Sequence, residues 1–259
     1  MKHTAKRVST TILFLILMTL AIPRSVFAET FTEDAPVYDN EAPVYDNEAS
    51  DDADPEDTDD AEEEFEYGYK LSEASTRFRA NEDRAKNIRN AASKINGTVI
   101  MPGQMFSCTR AFGARTSANG YGPGNIISGG TYIKGMGGGI CQVSSTLNLA
   151  MLRAGVLPAE RHNHSHRSSY IASGLDATIS GRTLDYKIVN PYDYPLYICA
   201  QTNGGVITIS IYSDHDATDG VIYEPVVKGK KMSNTTHVIG RLDGETVSDR
   251  IAYSSRYSR

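Results

Sequence analysis

The stretch GMGGGICQVSSTLNLAMLRAG, residues 135–155, contains the pattern that decides the fold. After Cys141, apolar residues recur at helical intervals, at Val143, Leu147, Ala150, Met151 and Ala154. Gly155 is a typical C-terminal stop. Glycine in mid-chain costs backbone entropy, so the glycines before Cys141 indicate a tight turn or the close approach of another molecule. The sequence therefore predicts a helix that begins at Cys141 and follows a constrained turn.

The pattern changes along the rest of the chain. Residues 72–95 are helical in their second half, where Ala85, Ile88, Ala92 and Ile95 recur. A short strand at 98–101, a turn and a Gly-rich loop region up to Gly139 follow. From Thr178 onward the period becomes two, with strands predicted at 184–189, 195–201 and 206–212 and a hairpin turn at Asp243-Gly244. The order predicts an α+β fold: N-terminal helices and Gly-rich loops followed by a mostly antiparallel β-sheet.

Residues 1–28 have the features of a secretory signal peptide. Basic residues precede an apolar run at 12–22, and Val26-Phe27-Ala28 is typical of a cleavage site. The apolar run is short for a membrane span, although an uncleaved anchor is the alternative. We therefore expect a secreted protein of the extracellular space or cell wall, with no stable membrane span after cleavage.

Residues 29–66 form an acidic segment that contains 18 of the 32 Asp and Glu residues and no Lys or Arg. It includes the heptad EAPVYDN at 41–47, preceded by the near-copy DAPVYDN. Such a composition predicts a disordered linker. The remaining residues, 67–259, contain 22 Lys and Arg against 14 Asp and Glu, a net charge of +8. A basic exported domain suits an anionic cell-wall surface, and export argues against nucleic acid as the partner.

The chain has three cysteines, so at most one disulfide bond can form within it. Cys108 and Cys199 lie in strand-like apolar contexts. They are expected to be small core residues or to be bridged to each other. Cys141 differs because a helix start makes a thiol more acidic, and the thiolate is the nucleophile. The alternative for Cys141 is a buried cysteine in a tight turn.

Three histidines follow in the segment ERHNHSH, residues 160–166. Their spacing of two would place His162, His164 and His166 on one face of an extended segment. One of them would take the thiol proton, with Asp176 or Asp185 orienting the ring. The alternatives are a zinc site built on the His-x-His pair and a solvated polar loop.

Four motifs in order carry a resemblance to a known family. GMGGGICQVSSTL, the later ERHNHS and GLDATI, and the earlier KINGTVIMPGQMFS resemble the VanW family. The likeness covers about residues 76–212. We expect these residues to be the core of a VanW-like domain at 67–259, with a C-terminal β-hairpin extension at 213–259.

The resemblance implies a cell-wall role and, for some members, an L,D-transpeptidase activity that makes 3–3 cross-links in peptidoglycan. It implies that Cys141 is the nucleophile, and His162 and His164 fall on the family's HNH motif, whereas His166 and Arg167 depart from it. Asp176 is the expected orienting residue.

The expected substrate contacts are Gly137, Gly138, Gly139, Gln142, Ser144, Ser145 and Arg161, with Arg161 or Arg115 holding a stem carboxylate. No cofactor and no metal are expected. The partners would be peptidoglycan stem peptides. An L,D-carboxypeptidase side activity, a non-catalytic peptidoglycan-binding module and a zinc-dependent peptidase are the alternatives.

Overall fold

Antiparallel sheets and three helices make up the part of the chain that the structure describes. The computed structural model describes residues 68–79, 83–128, 131–181 and 183–258, all within one compact unit at 61–259. The expected signal peptide and acidic linker lie outside these residues. The elements are β1 (Tyr69–Arg77), α1 (Asp83–Ile95), β2 (Thr98–Ile100), β3 (Met105–Ser107), α2 (Cys108–Phe112), β4 (Pro123–Ser128), β5 (Thr131–Met136), α3 (Ile140–Arg153), β6 (Pro158–Glu160), β7 (Lys187–Val189), β8 (Leu196–Asn203), β9 (Val206–Ser213), β10 (Ile222–Lys230), β11 (Ser233–Leu242) and β12 (Glu245–Arg256).

The core lies between a four-stranded sheet, ordered β1-β9-β8-β2, and the helices α1 and α3. The predicted apolar face of α1 is buried, with Ile88 and Ile95 fully enclosed. Val143 and Leu147 of α3 are also fully enclosed, and α3 packs on β1 and β9. Helices that cover one face of an antiparallel sheet are the expected α+β arrangement, so the fold class is confirmed. No helix among the described residues is long and apolar enough to cross a membrane.

Two elements differ from the sequence prediction. Strand β1 overlaps the first half of residues 72–95, for which the sequence predicted no element, and it pairs with β9 along its length. Its fully inward positions are Ala74 and Thr76, which are too small and polar to give a period-two signal. The Gly-rich region also contains a hairpin, because β4 pairs with β5 from the Pro123–Met136 pair to the Ser128–Thr131 pair.

The C-terminal residues form a three-stranded sheet, ordered β10-β11-β12. The predicted turn at Asp243-Gly244 joins β11 to β12, and both residues have positive φ, at 50° and 85°. Cys108 and Cys199 do not form a disulfide bond with each other. Cys108 is fully buried at the start of α2, and Cys199 is half-buried in β8.

The glycines before α3 are explained by the backbone around them. Gly137 and Gly139 have φ of 75° and 113°, values that side chains rarely adopt. Gly138 lies against the hairpin, since a Cβ atom there would come within 2.4 Å of the carbonyl carbon of Gly124. The turn that starts α3 is therefore fixed by packing as well as by its dihedral angles.

We expect Gly138→Ala to lower the free energy of unfolding by about 1–3 kcal/mol, because the added methyl group must displace backbone. Gly122→Ala is the matched control, since a Cβ atom at 122 meets nothing within 4 Å. Urea unfolding of both variants measures the difference. Equal stabilities would show that the 138–124 contact does not constrain the turn.

Candidate active site

Cys141 is the second residue of α3 and lies in a cleft of about 610 Å³. Its Sγ lies 3.5 Å from both Thr178 Oγ1 and the carbonyl oxygen of Ile179. The first turn of a helix presents backbone N–H groups and the positive end of the helix dipole. The sulfur therefore occupies a position that favours the thiolate.

His164 is the imidazole that meets this thiol. The residue follows β6, and Asp176 holds it twice: Asp176 Oδ2 accepts from the backbone N–H of His164 at 2.8 Å and from Nδ1 at 2.7 Å. With Nδ1–H donated to the carboxylate, Nε2 is left for other partners. Cys141 and His164 line the same cleft and each shifts the pKa of the other, and the hydroxyl of Tyr170 lies 3.5 Å from Nε2. The three side chains, Cys141, His164 and Asp176, are those of a Cys-His-Asp triad, with the histidine ring held by the carboxylate.

Asp176 is 1% exposed and has a partner for each oxygen. Besides the two bonds from His164, Arg161 donates to Asp176 Oδ1 at 2.9 Å and the hydroxyl of Tyr257 donates to the same atom. Arg161 in turn donates to Ser255 Oγ at 2.7 Å. A buried carboxylate needs this many donors because burial otherwise disfavours its charge. Ser255 of β12 and Tyr257 just after it therefore complete a site whose other residues all come before β7 in the chain.

Opposing effects set the pKa values of the triad. Burial raises the pKa of the Cys141 thiol, but the hydrogen bond and charge of His164 outweigh it and lower the pKa to about 7. Burial lowers the pKa of His164, but hydrogen bonds to Asp176 and Cys141 raise it to about 9. Burial raises the pKa of Asp176, yet the bond from His164 and the charge of Arg161 hold it below its usual value. Between about pH 7 and pH 9 the pair is therefore thiolate and imidazolium.

The other predicted acid–base residues lie elsewhere. His162 Nε2 bonds to Glu160 at 3.0 Å, and this side chain does not line the cleft. His166 bonds to Ser165 at 3.2 Å and does not line the cleft either, so of the three imidazoles only that of His164 lines it. Beyond Glu160, which ends β6, the segment is not a regular strand, and His162 forms an isolated bridge to Thr178. No cluster of three or more metal-ligating side chains occurs among the described residues.

Asp185, the other expected orienting carboxylate, binds the start of α2 instead. Its Oδ1 accepts from the backbone N–H and the hydroxyl of Thr109, at 2.9 Å and 2.8 Å. Arg161, expected at the substrate, is buried beneath Asp176 and lies 4.0 Å from the ring centre of Tyr253. Its guanidinium binds Asp176 and Ser255.

The expected substrate contacts divide into two groups. Gly137, Gly139 and Gln142 line the cleft, although Gln142 is fully buried. Ser144 and Ser145 are also fully buried and do not line the cleft, because both hydroxyls bond to the carbonyl of Ala177. Gly138, the third glycine, faces Gly124.

Several residues of the site had no local sequence signal. Tyr170, Thr178 and Ile179 lie beside the thiol or its histidine, and Tyr257 comes from the C-terminal extension. Thr178 and Ile179 belong to the quoted GLDATI motif, which marked the segment but not the contacts. Tyr257 is 81 residues from Asp176, so only tertiary structure joins them.

Comparison with known proteins identifies the family. A family model described as VanW like protein matches residues 83–212. The chain belongs to the VanW-like family. This confirms the resemblance seen in the motifs. The matched range contains the triad and ends before β10, so Tyr257 lies outside it.

Two relatives share this region. One is the Uncharacterized protein YoaR of Bacillus subtilis, 40% identical over 134 residues, which cover 52% of this chain and 44% of that protein. The other is the Vancomycin B-type resistance protein VanW of Enterococcus faecalis, 28% identical over 138 residues, which cover 51% of this chain and 50% of that protein. The chain thus spans about half the length of the curated relatives it matches. No solved structure matches it.

The thiol–imidazole pair makes a pH prediction. Because the pKa of Cys141 is lowered from 9.0 to about 7, its alkylation by iodoacetamide should reach half its maximal rate near pH 7 and fall below it. In His164→Ala, burial is unopposed by the ring, so the rate at pH 7 should drop at least about tenfold. Peptide mass spectrometry gives the rate at each cysteine, and Cys199 is the internal control. A Cys141 profile centred near pH 9 in the native chain would contradict the ion pair.

A second prediction follows from the hydrogen bond between Tyr257 and Asp176. Tyr257→Phe removes one donor from the buried Asp176 carboxylate and should cost about 1–3 kcal/mol of unfolding free energy. It should also move the alkylation midpoint of Cys141 upward, since a less firmly held Asp176 supports the imidazolium less. Tyr194→Phe is the control, because that ring is 40% exposed and lies in the loop before β8. An unchanged midpoint and stability would remove Tyr257 from the site.

Proposed function

We propose that the protein is an exported cell-wall enzyme, an L,D-transpeptidase that uses Cys141 as nucleophile and forms 3–3 cross-links between peptidoglycan stem peptides. The observation that supports this most is the Cys141-His164-Asp176 arrangement at the start of α3, open to a cleft of about 610 Å³. A cleft of this size accommodates a short peptide. The resistance-related name of the Enterococcus faecalis relative supports a connection with vancomycin resistance.

In the acylation step, the Cys141 thiolate attacks the carbonyl carbon of the third residue of a tetrapeptide stem. A C–S bond forms, and the C–N bond to the terminal D-alanine breaks. The His164 imidazolium gives its Nε2 proton to the departing amine, so free D-alanine leaves and a thioester remains. The N–H groups of the first turn of α3 favour the negative charge that develops on the carbonyl oxygen.

In the second step, an amine from the third residue of a neighbouring stem attacks the thioester. The new C–N bond forms, the C–S bond breaks, and neutral His164 accepts the proton of the amine while the thiolate is restored. Asp176 keeps Nδ1 protonated throughout, which fixes Nε2 as the nitrogen that exchanges protons. Water in place of the amine gives an L,D-carboxypeptidase.

The test is incubation of the purified chain with tetrapeptide-bearing muropeptides. We expect a protein mass increase that matches the stem acyl group, free D-alanine, and dimers with a 3–3 linkage. Cys141→Ala should abolish all three, and His164→Ala should lower turnover at least about 100-fold. Cys199→Ala, a cysteine outside the cleft, is the matched control and should retain full activity.

Other outcomes have defined meanings. Binding of muropeptides without adduct or turnover in the reduced native chain would make this protein a peptidoglycan-binding module. Turnover that survives Cys141→Ala and is abolished by a chelator would indicate a metal-dependent peptidase. Either result would contradict the cysteine transpeptidase.

A further inference from the structure

The cleft beside Cys141 is lined by positive charge. Four arginines line it, namely Arg77, Arg79, Arg84 and Arg115, and no Asp or Glu occurs among the described residues that do so. The Cys141–His164 pair adds no net charge between about pH 7 and pH 9, so the charge of the cleft comes from the arginines. Walls of one sign around a cleft concentrate the field and favour a ligand of the opposite sign.

Arg115 is positioned next to the reacting sulfur. Its guanidinium donates to the carbonyl oxygen of Ile179 at 3.1 Å, and the same oxygen is 3.5 Å from Cys141 Sγ. Its aliphatic carbons lie on the glycine turn, where a Cβ atom at Gly137 would come within 3.1 Å of Arg115 Cδ. Arg115 forms no ion pair with any described residue, so most of its five N–H donors are available to a ligand.

Arg84 lines the same cleft and lies against the other end of the same turn, where a Cβ atom at Gly139 would be 3.3 Å from its Nε. It donates to Gln142 Oε1 at 3.0 Å and lies 6.0 Å from the ring centre of Tyr170. Its Nε is buried and has no hydrogen-bond partner among the described residues, as is also true of the Ser168 hydroxyl in the same cleft. Unpartnered buried polar atoms cost free energy, and a polar ligand in the cleft provides partners.

We propose that this cleft selects an acyl donor whose third stem residue ends in a carboxylate, as diaminopimelate does, over one ending in an ammonium group alone, as lysine does. The proposal rests on the function proposed above. A guanidinium binds a carboxylate with two parallel hydrogen bonds, whereas the arginine walls repel an uncompensated ammonium group. Both stems carry the terminal D-alanine carboxylate, so the discrimination must come from the third side chain.

The primary experiment measures binding rather than turnover. Cys141→Ala in the full chain is titrated by calorimetry with two tetrapeptide stems that differ only at the third residue, diaminopimelate or lysine. We expect at least about tenfold tighter binding of the diaminopimelate stem, with a preference that shrinks as salt is added. Equal affinities, tighter binding of the lysine stem, or no binding of either stem would overturn the selection.

Arginine variants then locate the effect. Adding Arg115→Gln to Cys141→Ala should reduce the preference to near unity, chiefly by weakening the diaminopimelate stem. Arg110→Gln is the control, because Arg110 is exposed on α2 and does not line the cleft. A preference that survives Arg115→Gln and Arg84→Gln alike would overturn the assignment to these side chains.

Failure of the selection can be told apart from failure of the function. The native chain is assayed with the same two stems for released D-alanine. Turnover of both stems at equal kcat/KM, with equal affinities in Cys141→Ala, removes the selection and leaves the transpeptidase intact. Selective binding without turnover of either stem removes the transpeptidase and leaves a carboxylate-selective binding cleft.

Discussion

The buried carboxylate of Asp176 is the group on which the rest of the site depends. It accepts from the backbone and ring of His164, from Arg161 and from Tyr257, and it is almost fully enclosed. Removing the charged partner, Arg161, from such a buried ion pair commonly costs about 3–5 kcal/mol. These bonds fix the tautomer and direction of His164, and the position of His164 in turn sets the pKa of Cys141.

This carboxylate also connects distant parts of the chain. Arg161 follows β6, and Tyr257 follows β12, in the three-stranded sheet beyond the family-matched region. Tyr257 further accepts from the backbone N–H of Gly174, two residues before Asp176. The C-terminal sheet therefore supports the segment that carries the orienting residue, although it supplies no residue that lines the cleft.

The glycines before α3 were expected to contact the substrate, but Gly138 and Gly139 chiefly allow other parts of the chain to pack closely against the turn. Gly138 is covered by the backbone of Gly124, and Gly139 lets Arg84 lie beside the start of α3, where a Cβ atom would be 3.3 Å from its Nε. The turn brings a hairpin and an arginine against the helix start. In the proposed reaction, the turn would contribute by positioning Cys141 and the arginines around it.

The sequence predicted what depends on local periodicity. The buried faces of α1 and α3, the strands β8 and β9, and Cys141 at a helix start follow from residues close together in the chain. Strand β1 was missed because its inward side chains are small or polar, and the choice of His164 depended on Glu160 capturing His162 and on Asp176 capturing His164. Neither these two side-chain hydrogen bonds nor the role of Tyr257 leaves a periodic pattern in the sequence.

The most direct test of the account is the protonation state of His164, followed by NMR of the ring nitrogens in histidine-labelled protein across pH 5–10. We expect the ring to remain doubly protonated through pH 8 and to titrate near pH 9, and the pKa to fall in Cys141→Ala because the thiolate no longer stabilises the imidazolium. A neutral His164 at pH 7.5, with a pKa unaffected by Cys141→Ala, would contradict the thiolate–imidazolium pair on which the proposed chemistry depends.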